Sequence, residues 1–389
     1  MTSRERIDSL LRRRPVDRVG LNDGPWQDTL GIWMSEGYPS TPLARAGGER
    51  RWGEDGRQVE VATEGLYAAP VPAWKVFGYD MMQAGGWFDW TPRRGVSDLV
   101  EETAEWEIRR NGAGGALKYW KHKSGTPEHI DFLMGSRAVW DRDYRPLLIE
   151  YDPLRLDVPS TRRSLEEGRA AGAWTHYGHI GVWEILRGSL GDITLYESLL
   201  LDPDWIRDFV DVYTRFFKVH YASLFEKAGL PDGIWIYDDL GYKNGLFASP
   251  SLLGDLIFPF YRSLVEYFHG LGLPVVLHSC GSQNEALPLV VEAGFDALNP
   301  MERKARGNDP FVFAEKYGGK LAFVGGLDAR VFESNDLPLI RREVAGYIEG
   351  MKSRGARLVF GTDHSISPRV RLATYRYALE VYREHMSYA

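Results

Sequence analysis

At 389 residues, with 44% hydrophobic and 26% charged residues, the chain has room for a sizeable core and an ordinary globular composition, which excludes a disordered or fibrous class. A formal net charge of -7 leaves no global basic field, excluding nucleic acid or an anionic membrane as the main partner. The single cysteine, Cys280, excludes an internal disulfide framework; with no signal-peptide core at the start and no apolar run long enough to span a bilayer, the expected location is the cytoplasm.

In chain order, residues 4–14 carry Ile7, Leu10 and Leu11 at helical spacing before Pro15, and residues 19–21 read as a first short strand. The basic run Arg12-Arg13-Arg14 is expected to be a solvated helix end. From residue 31 to about 146 the pattern changes to short alternating runs, such as residues 59–62 and 106–109, broken by glycine clusters. Residues 111–115, Asn-Gly-Ala-Gly-Gly, predict a hairpin turn. This stretch is expected to be a β-rich insertion at about 50–150, either a wall over a site or a packed decoration. Its tryptophans, where exposed, point to a homodimer.

From residue 175 strands and helices alternate. Residues 205–227 predict a long helix capped by Asp202, with Pro203 in its first turn and Gly229 beyond its end. Residues 233–237 predict a buried strand running into Asp238 and Asp239, and Ser249-Pro250 opens a helix that ends near 270–272. Further strands are expected at 274–278, 297–300, 321–324 and 357–361, with a helix between the last two that starts at Asn335 or Asp336 and ends at Gly355. Repeated β-then-α units imply a parallel sheet. With no glycine-rich dinucleotide fingerprint and no Walker loop, a (β/α)8 TIM barrel is expected rather than a doubly wound sheet.

Active sites of that fold collect at the C-terminal ends of the strands. Asp238, Asp239, His278, Cys280, Asn299, Glu302, Asp328, Asp363 and His364 all fall there. Each has a plain structural reading: Asp328 as a helix cap, Asp363 as an acceptor for loop amides, Asn299 as a turn residue. Together they suit a polar pocket. His278 and Cys280 are two residues apart, so on a strand they point to the same side. With His364 from another strand they offer one thiolate and two imidazoles, a ligand set for catalytic zinc with an open fourth position. Asp238, Asp239 or Glu302 would take that position or orient a bound group. Such a zinc ionises a thiol or polarises an ether or carbonyl oxygen. Without a metal, Asp238 or Asp239 would hold a substrate, with His364 as acid or base; a Cys280 nucleophile with His278 as base is a further arrangement.

Six segments then resemble the uroporphyrinogen decarboxylase superfamily: Arg14-Pro15-Val16-Asp17-Arg18-Val19; Tyr237-Asp238-Asp239-Leu240 with Ser249-Pro250; His278-Ser279-Cys280-Gly281; Asn299-Pro300-Met301-Glu302; Gly325-Gly326-Leu327-Asp328; and residues 361–368. The resemblance spans nearly the whole chain, least in the β-rich part, and implies one (β/α)8 domain over residues 1–389. The superfamily holds cofactor-free decarboxylases and zinc-dependent methyltransferases that exchange methyl groups with a corrinoid protein. The decarboxylases' Arg-Gln-Ala-Gly-Arg signature after the first strand has no arginine counterpart in residues 21–27. The methyltransferases' His-x-Cys pair is matched by His278 and Cys280, while their distant second cysteine aligns with the Asp363-His364-Ser365 turn, which makes His364 the third ligand. What the resemblance implies is a zinc methyltransferase acting on a methyl ether, amine or thiol, with catalytic roles for Asp238, Asp239, Glu302 and Asp363. The chain has no Asp-x-His-x-x-Gly corrinoid motif, so the corrinoid would sit on a partner protein. The alternatives are a metal-free decarboxylase of a cyclic or aromatic acid, and a non-catalytic tetrapyrrole or corrinoid carrier.

Overall fold

The computed structural model describes residues 1–41, 44–45, 49–52, 58–61, 66–121 and 126–388. Eight short strands form its central sheet: β1 (Gly20–Leu21), β2 (Met81–Gln83), β3 (Trp174–Ile180), β4 (Gly233–Tyr237), β5 (Val275–His278), β6 (Ala297–Asn299), β7 (Ala322–Val324) and β8 (Leu358–Phe360). They pair in parallel in the order β1-β8-β7-β6-β5-β4-β3-β2. This is the expected (β/α)8 arrangement, a nearly closed barrel.

The seam between β1 and β2 is bridged by one residue. Asp80 donates its backbone N–H to the Leu21 carbonyl at 2.7 Å, and its Oδ2 accepts from the Leu21 N–H at 2.8 Å. A carboxylate with no exposed surface needs countercharge; Arg6 and Arg18 each donate to it at 2.8 Å. Arg6 belongs to α1 (Ser3–Leu11), whose first turn is closed by a capping box between Thr2 and Glu5. The ion pairs thereby dock α1, and its Ile7, Leu10 and Leu11 plug the lower end of the barrel against Met81, Trp174 and Val359. The basic run that follows is not simply solvated: Arg12 and Arg13 donate to the Gly272 and Lys320 carbonyls at 2.6 and 2.8 Å, tying α1 to loops beneath the sheet.

Alternation along each strand sorts the two cores. Trp235, Val276 and Ala297 point into the barrel, whereas Ile234, Ile236, Leu277 and Leu298 face the outer helices. The helix Pro203–Ala228 begins where its signals place it, with Asp202 accepting from the Trp205 N–H. Asp336, not Asn335, caps the helix Leu337–Ser353; Asn335 sits at φ 51.

The β-rich insertion contains a four-stranded antiparallel sheet of Ser97–Glu102, Trp106–Asn111, Gly115–Trp120 and Glu128–Phe132. Its predicted turn at 111–115 is present, with Asn111 Oδ1 accepting from the Ala113 and Gly115 amides. The sheet lies against the helix Val182–Leu201: a Cβ on Gly115 would come 2.3 Å from the Gly188 carbonyl, and one on Gly191 2.4 Å from Phe132. Within residues 44–67 the described strands form two antiparallel pairs; Ala62, the last residue of the run expected at 59–62, lies outside the described residues. Among the described residues no helix is long and apolar enough to cross a membrane.

Asp80→Ala should leave two arginines without their shared carboxylate and lower the unfolding free energy by about 3–5 kcal/mol. Chemical denaturation measures this; a loss under about 1 kcal/mol would show that the seam does not depend on the ion pairs.

Candidate metal centre

Parallel register carries the inward positions upward in a layer. Tyr237 pairs with His278, and His278 with Asn299, each two residues above the inward Trp235, Val276 and Ala297. His278 therefore stands at the inner rim of the C-terminal mouth. Its Nδ1 lies 2.5 Å from Asn299 Oδ1, and Asn299 Nδ2 donates to the Val324 carbonyl at 2.9 Å. The second bond orients the amide, so its oxygen faces the imidazole and Nδ1 must carry the proton. The lone pair of the neutral ring is then on Nε2, facing Cys280 Sγ at 3.4 Å. Burial pushes the His278 pKa down, only partly offset by Asp239 and Asn299, which favours that neutral form.

Cys280 lies past the end of β5, not on it, and the loop folds it back toward His278. Gly281 makes this turn at φ 75; a Cβ there would lie 2.4 Å from the backbone of Gly241, so the β5 loop can cross the β4 loop only with glycine at this position. Asp239 Oδ1 accepts from the Cys280 N–H at 2.7 Å and lies 3.8 Å from His278 Nε2. Glu302 Oε2 accepts from the Gly281 N–H at 2.9 Å and lies 3.9 Å from His364 Nε2. Burial, followed by the charges of Asp239, Glu302 and Asp363, holds the Cys280 thiol well above its ordinary pKa.

The donor atoms form two overlapping sets, Asp239–His278–Cys280 and Cys280–Glu302–His364, with the atoms of each within 4.8 Å of one another. The three ligands expected from sequence are all here. They do not form one compact triplet, however: Cys280 is common to both sets, each of which pairs one imidazole with one carboxylate, from the β4 loop or the β6 loop. The residues fit a zinc ion. The thiol, carboxylates and imidazoles are suitable donors, His278 bonds through its other ring nitrogen to Asn299 as metal-bound histidines bond to an amide or carboxylate, and a cation would offset the acidic charge that, with burial, raises the thiol pKa. Beside the cluster His364 Nδ1 lies 3.3 Å from Asp363 Oδ1, and the buried Asp363 Oδ2 lacks a hydrogen-bond partner.

The other expected site residues separate. Asp238, adjacent to Asp239, turns the opposite way: it is buried and accepts from the Trp183 and Glu184 amides at 3.0 and 2.7 Å and from the Tyr261 hydroxyl. It binds the N-terminus of the helix Val182–Leu201, where a Cβ on Gly181 would come 2.1 Å from its Oδ2. Burial pushes its pKa up to about 8, against the pull of Tyr261 and the two amides. Asp363 Oδ1 accepts from the Ala329 N–H at 3.0 Å, and Asp328 is paired with Arg330. Sequence reasoning passed over Glu184, whose pKa burial raises to about 6, with Arg187 opposing and Asp239 adding to the rise. Its place in the first turn after Gly181 was the available signal. A separate concavity of about 720 Å³ beside Arg4, Asp8 and Asp232 lies by α1, at the end of the barrel opposite the cluster.

The fold and site thus define a (β/α)8 barrel with a candidate metal centre at its mouth. The uroporphyrinogen decarboxylase (URO-D) family profile matches residues 187–385, more than half of the sequence, and the chain belongs to that family. Among solved structures it is similar to a methyltransferase from Methanosarcina mazei, with a TM-score of 0.65, 15% identity and coverage of 99% of this chain and 99% of that chain. At this identity the likeness shows the shared fold. An AP endonuclease of family 2 from Brucella melitensis reaches a TM-score of 0.36 at 16% identity, covering 61% of this chain and 86% of that one, a likeness too slight to argue from. Comparison with curated proteins finds no match.

The two neighbouring aspartates should separate on mutation. Asp238→Ala strands two helix amides and a buried hydroxyl and should reduce stability by about 3 kcal/mol, whereas Asp239→Ala loses one backbone contact, worth about 1 kcal/mol. Asp239→Ala should also weaken zinc binding by about tenfold or more, read by competition with a chromophoric chelator. Equal stability losses with equal zinc affinities would contradict this division.

Proposed function

We propose that the protein is a zinc-dependent methyltransferase that moves a methyl group between a methylated small molecule and a corrinoid carried by a separate protein. The observation that carries the reading is the His278–Cys280 pair, with Nε2 unprotonated and facing Sγ, flanked by Asp239, Glu302 and His364. Cys280 would hold the ion either with His278 and Asp239 or with His364 and Glu302. When bound, zinc supplies a Lewis acid that lowers the pKa of a coordinated thiol or polarises an ether oxygen. The protein's own part is to keep the Nε2 lone pair directed inward through Asn299, to place the Cys280 amide on Asp239, and to present Glu302 and His364 from the opposite side.

The family is named for a decarboxylase, which makes metal-free decarboxylation of a cyclic or aromatic acid the second reading. The mouth weighs against a substrate bearing several carboxylates, because Asp239, Glu302 and Asp363 already gather around Cys280 and would repel it.

Protein purified without chelator should contain close to one equivalent of zinc, and Cys280→Ala should lose most of it. The loaded enzyme should demethylate added methylcobalamin in the presence of a thiol and stop when zinc is removed. Absence of zinc from both proteins, or decarboxylation that persists in chelator, would decide for the second reading.

A further inference from the structure

We propose that Trp87 and Tyr237 form a seat for a flat, uncharged aromatic ring of the substrate, at the edge of the candidate metal centre. The proposal deepens the methyltransferase reading by naming a substrate class for the same mouth, and it rests on that reading only for what becomes of the bound ring. Tyr237 ends β4, in register with His278 on β5, and the two rings lie 5.3 Å apart at 46°. Trp87 comes from the loop after β2. Its indole stacks on Tyr237 at 5.6 Å and 26°, and on His179 at 5.4 Å and 27°.

The local sequence sets this indole in place. Gly85 and Gly86 take φ of 97 and 88, and a Cβ on Gly86 would come 2.2 Å from Tyr177. The loop therefore passes directly against β3 before Trp87 is laid over the strand end. Gly178, on the inward face of β3, leaves room for the Tyr237 ring; a Cβ there would come 3.0 Å from Tyr237 Cε2 and 3.1 Å from Gln83 Nε2. The Tyr237 hydroxyl is 3.4 Å from Gln83 Oε1.

Despite its two stacking neighbours Trp87 remains 44% exposed. What sets Trp87 apart from other exposed apolar side chains such as Trp26 and Trp120 is its place in a run of rings that leads through Tyr237 to His278, where stacking of a further ring contributes about 0.5–1.5 kcal/mol beyond area burial. The charges favour a neutral ring over a quaternary ammonium. Glu184 is already paired with Arg187 at 2.8 Å, and Asp239 and Glu302 belong to the candidate metal centre. A ring seated on Trp87 and Tyr237 would direct a methoxy substituent past Tyr237 toward His278.

The test is calorimetric titration of 2-methoxyphenol into the full-length protein, zinc-loaded and chelator-stripped, with tetramethylammonium as the charged comparison. Binding of 2-methoxyphenol in both states, weakened about tenfold by Trp87→Ala and largely restored by Trp87→Phe, is the expected result. The half-exposed position makes Trp87→Ala tolerable to the fold, and thermal melting confirms it. Equal affinity in wild type and Trp87→Ala, no binding in either state, binding only to the zinc form that ignores Trp87, or preference for tetramethylammonium would each overturn the seat. Ring binding without zinc in the purified protein would defeat the methyltransferase reading and leave the seat standing; zinc without Trp87-dependent binding would do the reverse.

Discussion

The barrel depends on a buried carboxylate at its seam. β1 is two residues long and β2 three, too short to secure a sheet by strand pairing alone. Asp80 supplies what the strands lack, bonding to Leu21 through both its backbone and its side chain. Its charge is tolerable in that place because Arg6 and Arg18 meet it there. Since Arg6 lies on the helix that plugs the barrel floor, closure of the sheet and sealing of its lower end are one event. The upper end is left open, and polar side chains collect there.

At that open end the arrangement is one of excess negative charge held close to a thiol. Asp239 and Glu302 each accept from a backbone amide of the β5 loop, which sets their positions; Glu302 has in addition Lys304 Nζ at 3.9 Å. Structural carboxylates in this protein look different: Asp80 has its arginines, and Asp238 has a helix terminus and Tyr261. An acidic pair fixed around Cys280, with His278 and His364 completing the ring, is arranged to receive a cation.

Much of this was legible in the sequence where the cause is local. Asp202-Pro203 and Gly229 bound their helix because capping and φ restriction act over a few residues, and the strand ends of β4, β5, β6 and β8 were readable because buried parallel strands are short apolar runs. Illegible were features decided through space. Asp238 and Asp239 are adjacent and chemically alike; only the helix N-terminus behind β4 separates a structural carboxylate from one at the mouth. Arg12 and Arg13 read as a solvated run because their partners are carbonyls at positions 272 and 320. Cys280 was expected to share a strand face with His278, whereas a loop crossing that requires Gly281 brings it back. Trp87 could not be told from the other tryptophans until its loop was seen to lie over β3 beside Tyr237.

The function proposed for the mouth turns on whether Cys280 binds a metal ion. Diffraction data from crystals of the protein purified without chelator, collected on both sides of the zinc absorption edge, test it most directly. One anomalous peak is expected within bonding distance of Cys280 Sγ and His278 Nε2, with a carboxylate of Asp239 or Glu302 or the His364 ring completing the shell. No peak at that place, in protein able to turn over its substrate, would contradict it.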